Sequence, residues 1–96
     1  MKRLHLRPQA RRDLHSIRQY TRATWGIVQT KSYLRAIERA FIRIAENPEI
    51  GQSYSSETQT YRRMRAGLHV IFFRVISDAV LIVRVLHEKM NFDDHL

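Results

Sequence analysis

The period of apolar and polar positions changes along the chain, and the changes mark its elements. Residues 2–7, KRLHLR, alternate with Leu4 and Leu6 on one side, which predicts a short strand. Pro8 suits the first position of a helix, where a backbone N–H would have no partner. From Ala10 the spacing turns helical through Leu14, Ile17, Tyr20, Thr21 and Trp25, and Gly26 is placed to stop the helix. Trp25 could anchor a partner, but a tryptophan at a helix end is more often core, and Asp13 is expected in the first turn against the positive helix end. A second helix is predicted from about residue 28 to residue 46, on the stripe Leu34, Ile37, Phe41 and Ile44. Asn47-Pro48 ends it, because proline disfavours helix at the residue before it. The short gap at Gly26 implies an antiparallel helical hairpin.

Residues 49–59, EIGQSYSSETQ, are polar and read as a loop. Three strand signals follow, at residues 61–65, 68–76 and 79–87, with Ala66-Gly67 and Ser77-Asp78 as two-residue hairpin turns. The order β-α-α-β-β-β predicts one α+β domain over residues 1–96, with the helical hairpin packed on one face of a mainly antiparallel sheet. The other face is then partly open, and function is expected there, between sheet and tail.

Two-residue turns fix which side chains share a face. Arg65, Leu68 and His87 then form one row, and Arg63, Val70 and Val85 the next. Phe72 and Val83, then Arg74 and Leu81, complete a face with an apolar middle and a basic rim of Arg63, Arg65, Arg74 and His87. The opposite face carries Arg62, Met64, His69, Ile71, Phe73, Val75, Val80, Ile82, Arg84 and Leu86, and is expected to meet the helices. Arg84 and His87, three apart, would point to opposite faces. On the first helix Arg11, His15, Arg18 and Arg22 make one exposed stripe, either a solvated face or an electrostatic docking strip.

Composition narrows the function classes. No apolar run approaches the roughly 20 residues of a membrane span, and no apolar stretch follows the basic N-terminus, so neither a span nor a secretory signal is expected. The absence of cysteine excludes disulfide and thiol chemistry and fits a reducing cytoplasm. Five histidines contain no short ligand pair such as H-x-x-x-H, and there is no P-loop or dinucleotide glycine motif; no metal or cofactor is expected. The formal charge of +8, from 17 Lys and Arg against 9 Asp and Glu, favours an acidic protein partner or nucleic acid, and direct nucleic-acid binding stays open.

Four stretches together carry a family resemblance: "DLHSIRQYTRATWG" (13–26), "AENPEIG" (45–51), "LHVIFFRV" (68–75) and "VRVLHEKMNFDDHL" (83–96). In this order they resemble the ParE toxins of bacterial type II toxin–antitoxin systems, within the RelE/ParE superfamily, whose fold is β-α-α-β-β-β. The resemblance implies a cytoplasmic, plasmid-stabilising toxin that inhibits DNA gyrase through its A subunit and arrests growth. It also implies a ParD-like antitoxin as partner, in a hetero-oligomer built on a dimeric antitoxin. Contact residues for antitoxin or target are then sought among Arg63, Arg65, Arg74, Arg84, His87, Met90, Arg11, Arg18 and Arg22. The RelE-like branch implies an alternative, a ribosome-dependent messenger-RNA endonuclease in which His87 and Arg65 would be catalytic. Against it, the final ten residues hold Met90 and Phe92 but no tyrosine, and residues 49–59 hold no lysine or arginine. A third reading is a decayed toxin that keeps only antitoxin binding.

Overall fold

The computed structural model describes all 96 residues. A strand β1 (Arg3–Leu6) leads into α1 (Pro8–Trp25) and α2 (Ile27–Glu46). Four strands follow: β2 (Gln52–Ser55), β3 (Thr60–Ala66), β4 (His69–Ile76) and β5 (Ala79–His87). A 3₁₀ turn at Pro48–Ile50 precedes β2 and another at Phe92–Asp94 follows β5. The sheet order is β1-β5-β4-β3-β2, with β1 parallel to β5 and the other pairs antiparallel. The predicted α+β architecture holds, with one strand more than the pattern predicts. The strand β2 has the polar sequence QSYS and pairs only with β3 at the sheet edge. Only Tyr54 packs inward from it, so it leaves no repeating hydrophobic signal.

Gly26 alone joins the helices. Its φ of 88° lies in the region that glycine occupies without steric penalty. Its N–H donates to the Arg22 carbonyl, and its own carbonyl accepts from both the N–H and the hydroxyl of Thr30. The buried Thr30 is thereby satisfied where α2 begins. Against the expected stripe, Tyr20 and Trp25 are 70% and 68% exposed, and Ala10, Ile17 and Thr21 are buried. The stripe of α2 behaves as read, with Ile37, Phe41 and Ile44 buried and Leu34 packed against them.

Two apolar clusters sandwich the sheet. The larger joins Ile17, Ile37, Phe41 and Ile44 of the helices to Ile71, Phe73, Val80, Ile82 and Val85. The smaller lies on the other face: Tyr61, Val70, Phe72, Val83 and Leu86, covered by Tyr54, Leu81, Phe92 and Leu96. The tail therefore folds back over the face expected to be open. It is held by Tyr54 Oη, which donates to Asp93 Oδ1 at 2.6 Å, and by the edge-on rings of Tyr54, Phe72 and Phe92.

The faces of β5 differ from the simple alternation. Phe73 pairs with Ile82 but Phe72 pairs with Arg84, so Val83 is an extra residue, a β-bulge. Past the bulge every side chain changes face. Val85 and His87 turn toward the helices, and Leu86 joins the tail-covered cluster. The first hairpin is also displaced: Ala66 pairs with His69, so its turn is Gly67-Leu68, with φ of 60° at Gly67. Positive φ at the first central residue is the type II′ requirement, and glycine meets it. A Cβ there would lie 2.7 Å from the Tyr33 ring, so glycine also admits the tyrosine.

Candidate partner-binding groove

The parallel strand β1 covers only the first half of β5, from Ala79 to Ile82. Beyond it the edge of β5 needs another partner, and α1 supplies one. Asp13 accepts from the Val85 N–H at 2.9 Å and from Arg84 Nε and Nη2, both at 2.8 Å. Asp13 is thus not a first-turn dipole residue; it is the sixth residue of a helix that starts at Pro8. Arg84 also donates from Nη1 to the carbonyl of His95 at 2.9 Å, so one guanidinium ties β5, α1 and the tail. The bidentate carboxylate contact raises the Arg84 pKa further.

Above this tie lies a groove of about 700 Å³ between the two helices and the ends of β4 and β5. Its wall is largely apolar, with Ile17, Tyr20, Trp25, Leu68, Val85 and Met90. The aromatics that fail to enter the core are therefore the groove's exposed rings. At its inner end stand Tyr33, His69 and His87. Tyr33 Oη accepts from the Leu68 N–H at 2.9 Å and lies 2.6 Å from His69 Nδ1. Its own proton is directed to that nitrogen, since the other acceptor, the Ala66 carbonyl, is 3.4 Å away. His69 is then the neutral Nε2–H tautomer. Burial, and next the nearby His87, lower its pKa. The His69 and His87 rings meet edge-on, 5.3 Å between centroids. His87 Nδ1 accepts from the Lys89 N–H at 3.2 Å, which leaves its Nε2 as the donor. Burial raises the Tyr33 pKa.

The other candidates are dispersed. The expected row of Arg65 with His87 does not form: Arg65 pairs across the sheet with Val70, and His87 with His69, because the bulge moves His87 to the helix side. Arg65 instead donates to Glu88 Oε1 at 2.6 Å, which lowers the Glu88 pKa. Arg63 sits over the Tyr54 ring, 5.0 Å from its centroid, so Tyr54 is occupied by Arg63, Phe72, Phe92 and Asp93. Arg74 faces Gln59, whose amide, turned oxygen-first, accepts at 2.8 Å from its guanidinium. The basic-rimmed face is therefore no open groove. A smaller hollow of about 440 Å³ remains there, beside Arg63, Arg65, Glu88 and Phe92. Arg84, His87 and Met90 meet in the large groove, while Arg11, Arg18 and Arg22 lie outside it, exposed on α1. Arg62 is structural: it donates to the carbonyls of Pro48, Glu49 and Gly51 and fixes the turn before β2. No group of three or more His, Asp or Glu is gathered in a way that could hold a metal, and no helix is long and apolar enough to cross a membrane.

The fold is shared with structures of toxin–antitoxin systems. A chromosomal ParDE system from P. aeruginosa matches with a TM-score of 0.78 at 19% identity, covering 91% of this chain and 96% of that one. The toxin–antitoxin complex RelBE2 from Mycobacterium tuberculosis matches at 0.63 and 24% identity, over 90% and 96%. The sequence narrows the class. The family model described as "ParE toxin of type II toxin-antitoxin system, parDE" matches residues 4–92. Toxin ParE1 of Caulobacter vibrioides is 40% identical over 96 residues, all of this chain and 99% of that protein. Toxin ParE1 of Mycobacterium tuberculosis is 38% identical over 92 residues, 95% and 94% of the two chains. The chain belongs to the ParE toxin family.

Proposed function

We propose that this ParE-family toxin arrests bacterial growth in the cytoplasm by binding DNA gyrase at its A subunit and trapping it on cleaved DNA. A ParD-like antitoxin then neutralises it by laying an apolar, acidic segment into the large groove. The groove carries this reading. It presents Tyr20, Trp25, Leu68 and Met90 to solvent beside His87, on a chain with a formal charge of +8. Amphipathic helices and extended segments dock in such grooves through spaced apolar anchors, and aromatic side chains are the usual anchors. Acidic residues flanking those anchors would meet a protein whose cations are mostly unpaired.

Action by binding, rather than by cleaving RNA, is supported by how the ionisable groups are engaged. His69 Nδ1 is held by Tyr33, His87 Nδ1 by the Lys89 N–H, and Arg65 by Glu88 on the far side of the sheet. An endonuclease needs an acid–base pair and a cation converging on one phosphate. The discriminating experiment runs His87→Ala and wild type in parallel. Gyrase supercoiling is assayed on relaxed plasmid, and codon-site cleavage on translating ribosomes. Equal inhibition of supercoiling by both, with no ribosomal cleavage, is the expected result. Cleavage that vanishes in His87→Ala would replace this reading with the nuclease one.

A further inference from the structure

The exposed side of α2 carries a row of cations that the groove does not use. Lys31, Arg35 and Arg39 stand four residues apart, so they lie on one face at a rise of about 6 Å each. With Val28 and Ser32 they line a shallow concavity of about 260 Å³ that contains no acidic residue. Of the 17 Lys and Arg, only Arg65 and Arg84 form salt bridges, so none of the three is neutralised within the chain. Like charges at this spacing on a helix repel one another, and an anion bound along the row removes the repulsion.

We propose that this row on α2 binds the phosphate backbone of duplex DNA. Its lining separates nucleic acid from an acidic protein. Val28 is the one apolar residue of the five, so an amphipathic acidic segment finds a single small contact there and no spaced set of anchors, whereas a phosphate backbone needs cations and no anchor. Its length separates DNA from RNA. From Lys31 to Arg39 the row spans about 12 Å of helix axis, which matches the roughly 12 Å mouth of the B-form major groove. The major groove of an A-form RNA duplex is deep and narrow and offers no such mouth. The row thus binds without reading sequence, and because it acts on bare DNA the inference does not depend on gyrase being the target.

The test is fluorescence anisotropy of a labelled DNA duplex of about two helical turns, titrated with the full chain between about 50 and 200 mM salt. The variant Lys31→Gln/Arg35→Gln/Arg39→Gln keeps helix propensity, since glutamine ranks with lysine and arginine. It is expected to lose at least about tenfold in affinity at low salt, with the slope of log K against log salt shallower by about 1.8, or 0.9 for each phosphate met by Lys31 and Arg39 at the two rims of the groove. Arg3→Gln/Arg7→Gln/Arg12→Gln removes the same charge from exposed positions outside the row and is expected to lose less than about threefold. If the triple variant is misfolded by circular dichroism, Arg39→Gln alone should still flatten the slope by about 0.9. Equal losses in the two triple variants would reduce the effect to the general field and overturn the inference. So would displacement of the duplex by poly-glutamate at equal charge, or equal affinity for an RNA duplex.

Discussion

Replacing Asp13 by alanine is expected to unfold this protein at markedly lower temperature. Asp13 and Arg84 form an ion pair whose side chains are 13% and 15% exposed, with two contacts of 2.8 Å. Asp13→Ala leaves the guanidinium with only the His95 carbonyl and leaves the Val85 N–H without its acceptor. Breaking a buried pair from one side costs about 3–5 kcal/mol, and an orphaned N–H about 1–3 kcal/mol. Water reaching the groove reduces both, so the expected loss is about 2–4 kcal/mol. For a domain of this size that lowers the melting temperature by roughly 10–20 °C. Thermal and urea unfolding of wild type, Asp13→Ala, Arg84→Ala and the double variant measure it. The double-mutant cycle should return a coupling above about 1 kcal/mol, since the two residues share one network. A loss below about 0.5 kcal/mol in Asp13→Ala would place this contact with ordinary surface pairs and refute the reasoning.

Gly67→Ala should cost about 1–3 kcal/mol in urea unfolding, because φ of 60° disfavours a side chain and its Cβ would press on the Tyr33 ring. His69 is held neutral, with its pKa below the ordinary 6.5, so the unfolded chain binds a proton that the folded chain refuses. Its contribution to stability is therefore complete above about pH 6.5 and is lost as pH falls through and below that value. In His69→Asn the fall in melting temperature between about pH 7 and pH 5 should be smaller than in wild type, as read by a fluorescence melt. Tyr20→Ala and Trp25→Ala should change stability by less than about 0.5 kcal/mol, as exposed positions do, yet each should weaken antitoxin binding by more than about 1 kcal/mol in calorimetry.

Most elements were legible because their burial follows a clean period. The stripe of α2, the break at Gly26 and the last two strands are visible in the order of residues, and a family resemblance carried by spaced motifs agrees with them. What was hidden lies where structure departs from period. Strand β2 shows no alternation because it is a short edge strand with Tyr54 as its one inward ring, beside the 3₁₀ turn that Arg62 holds. The bulge at Val83 falls at the end of the apolar run 79–83, where no glycine marks it and every residue of the run is compatible with burial on either face. That single extra residue carried His87 from the basic-rimmed face to the groove, and dissolved the expected row with Arg65. The exposed Tyr20 and Trp25 share helical spacing with true core residues, and spacing alone cannot separate an unpartnered ring from a buried one. The role of Tyr33 had no local signal, because it rests on contacts with Leu68 and His69 more than 30 residues away.

The most direct measurement of the central claim is the trapping of cleaved DNA. Purified gyrase, supercoiled plasmid and ATP are incubated with this chain and then denatured with detergent and protease. Linear DNA should accumulate in proportion to toxin and disappear when the acidic antitoxin is added first. Plasmid that stays fully supercoiled, with no linear product at a large toxin excess, would contradict the account.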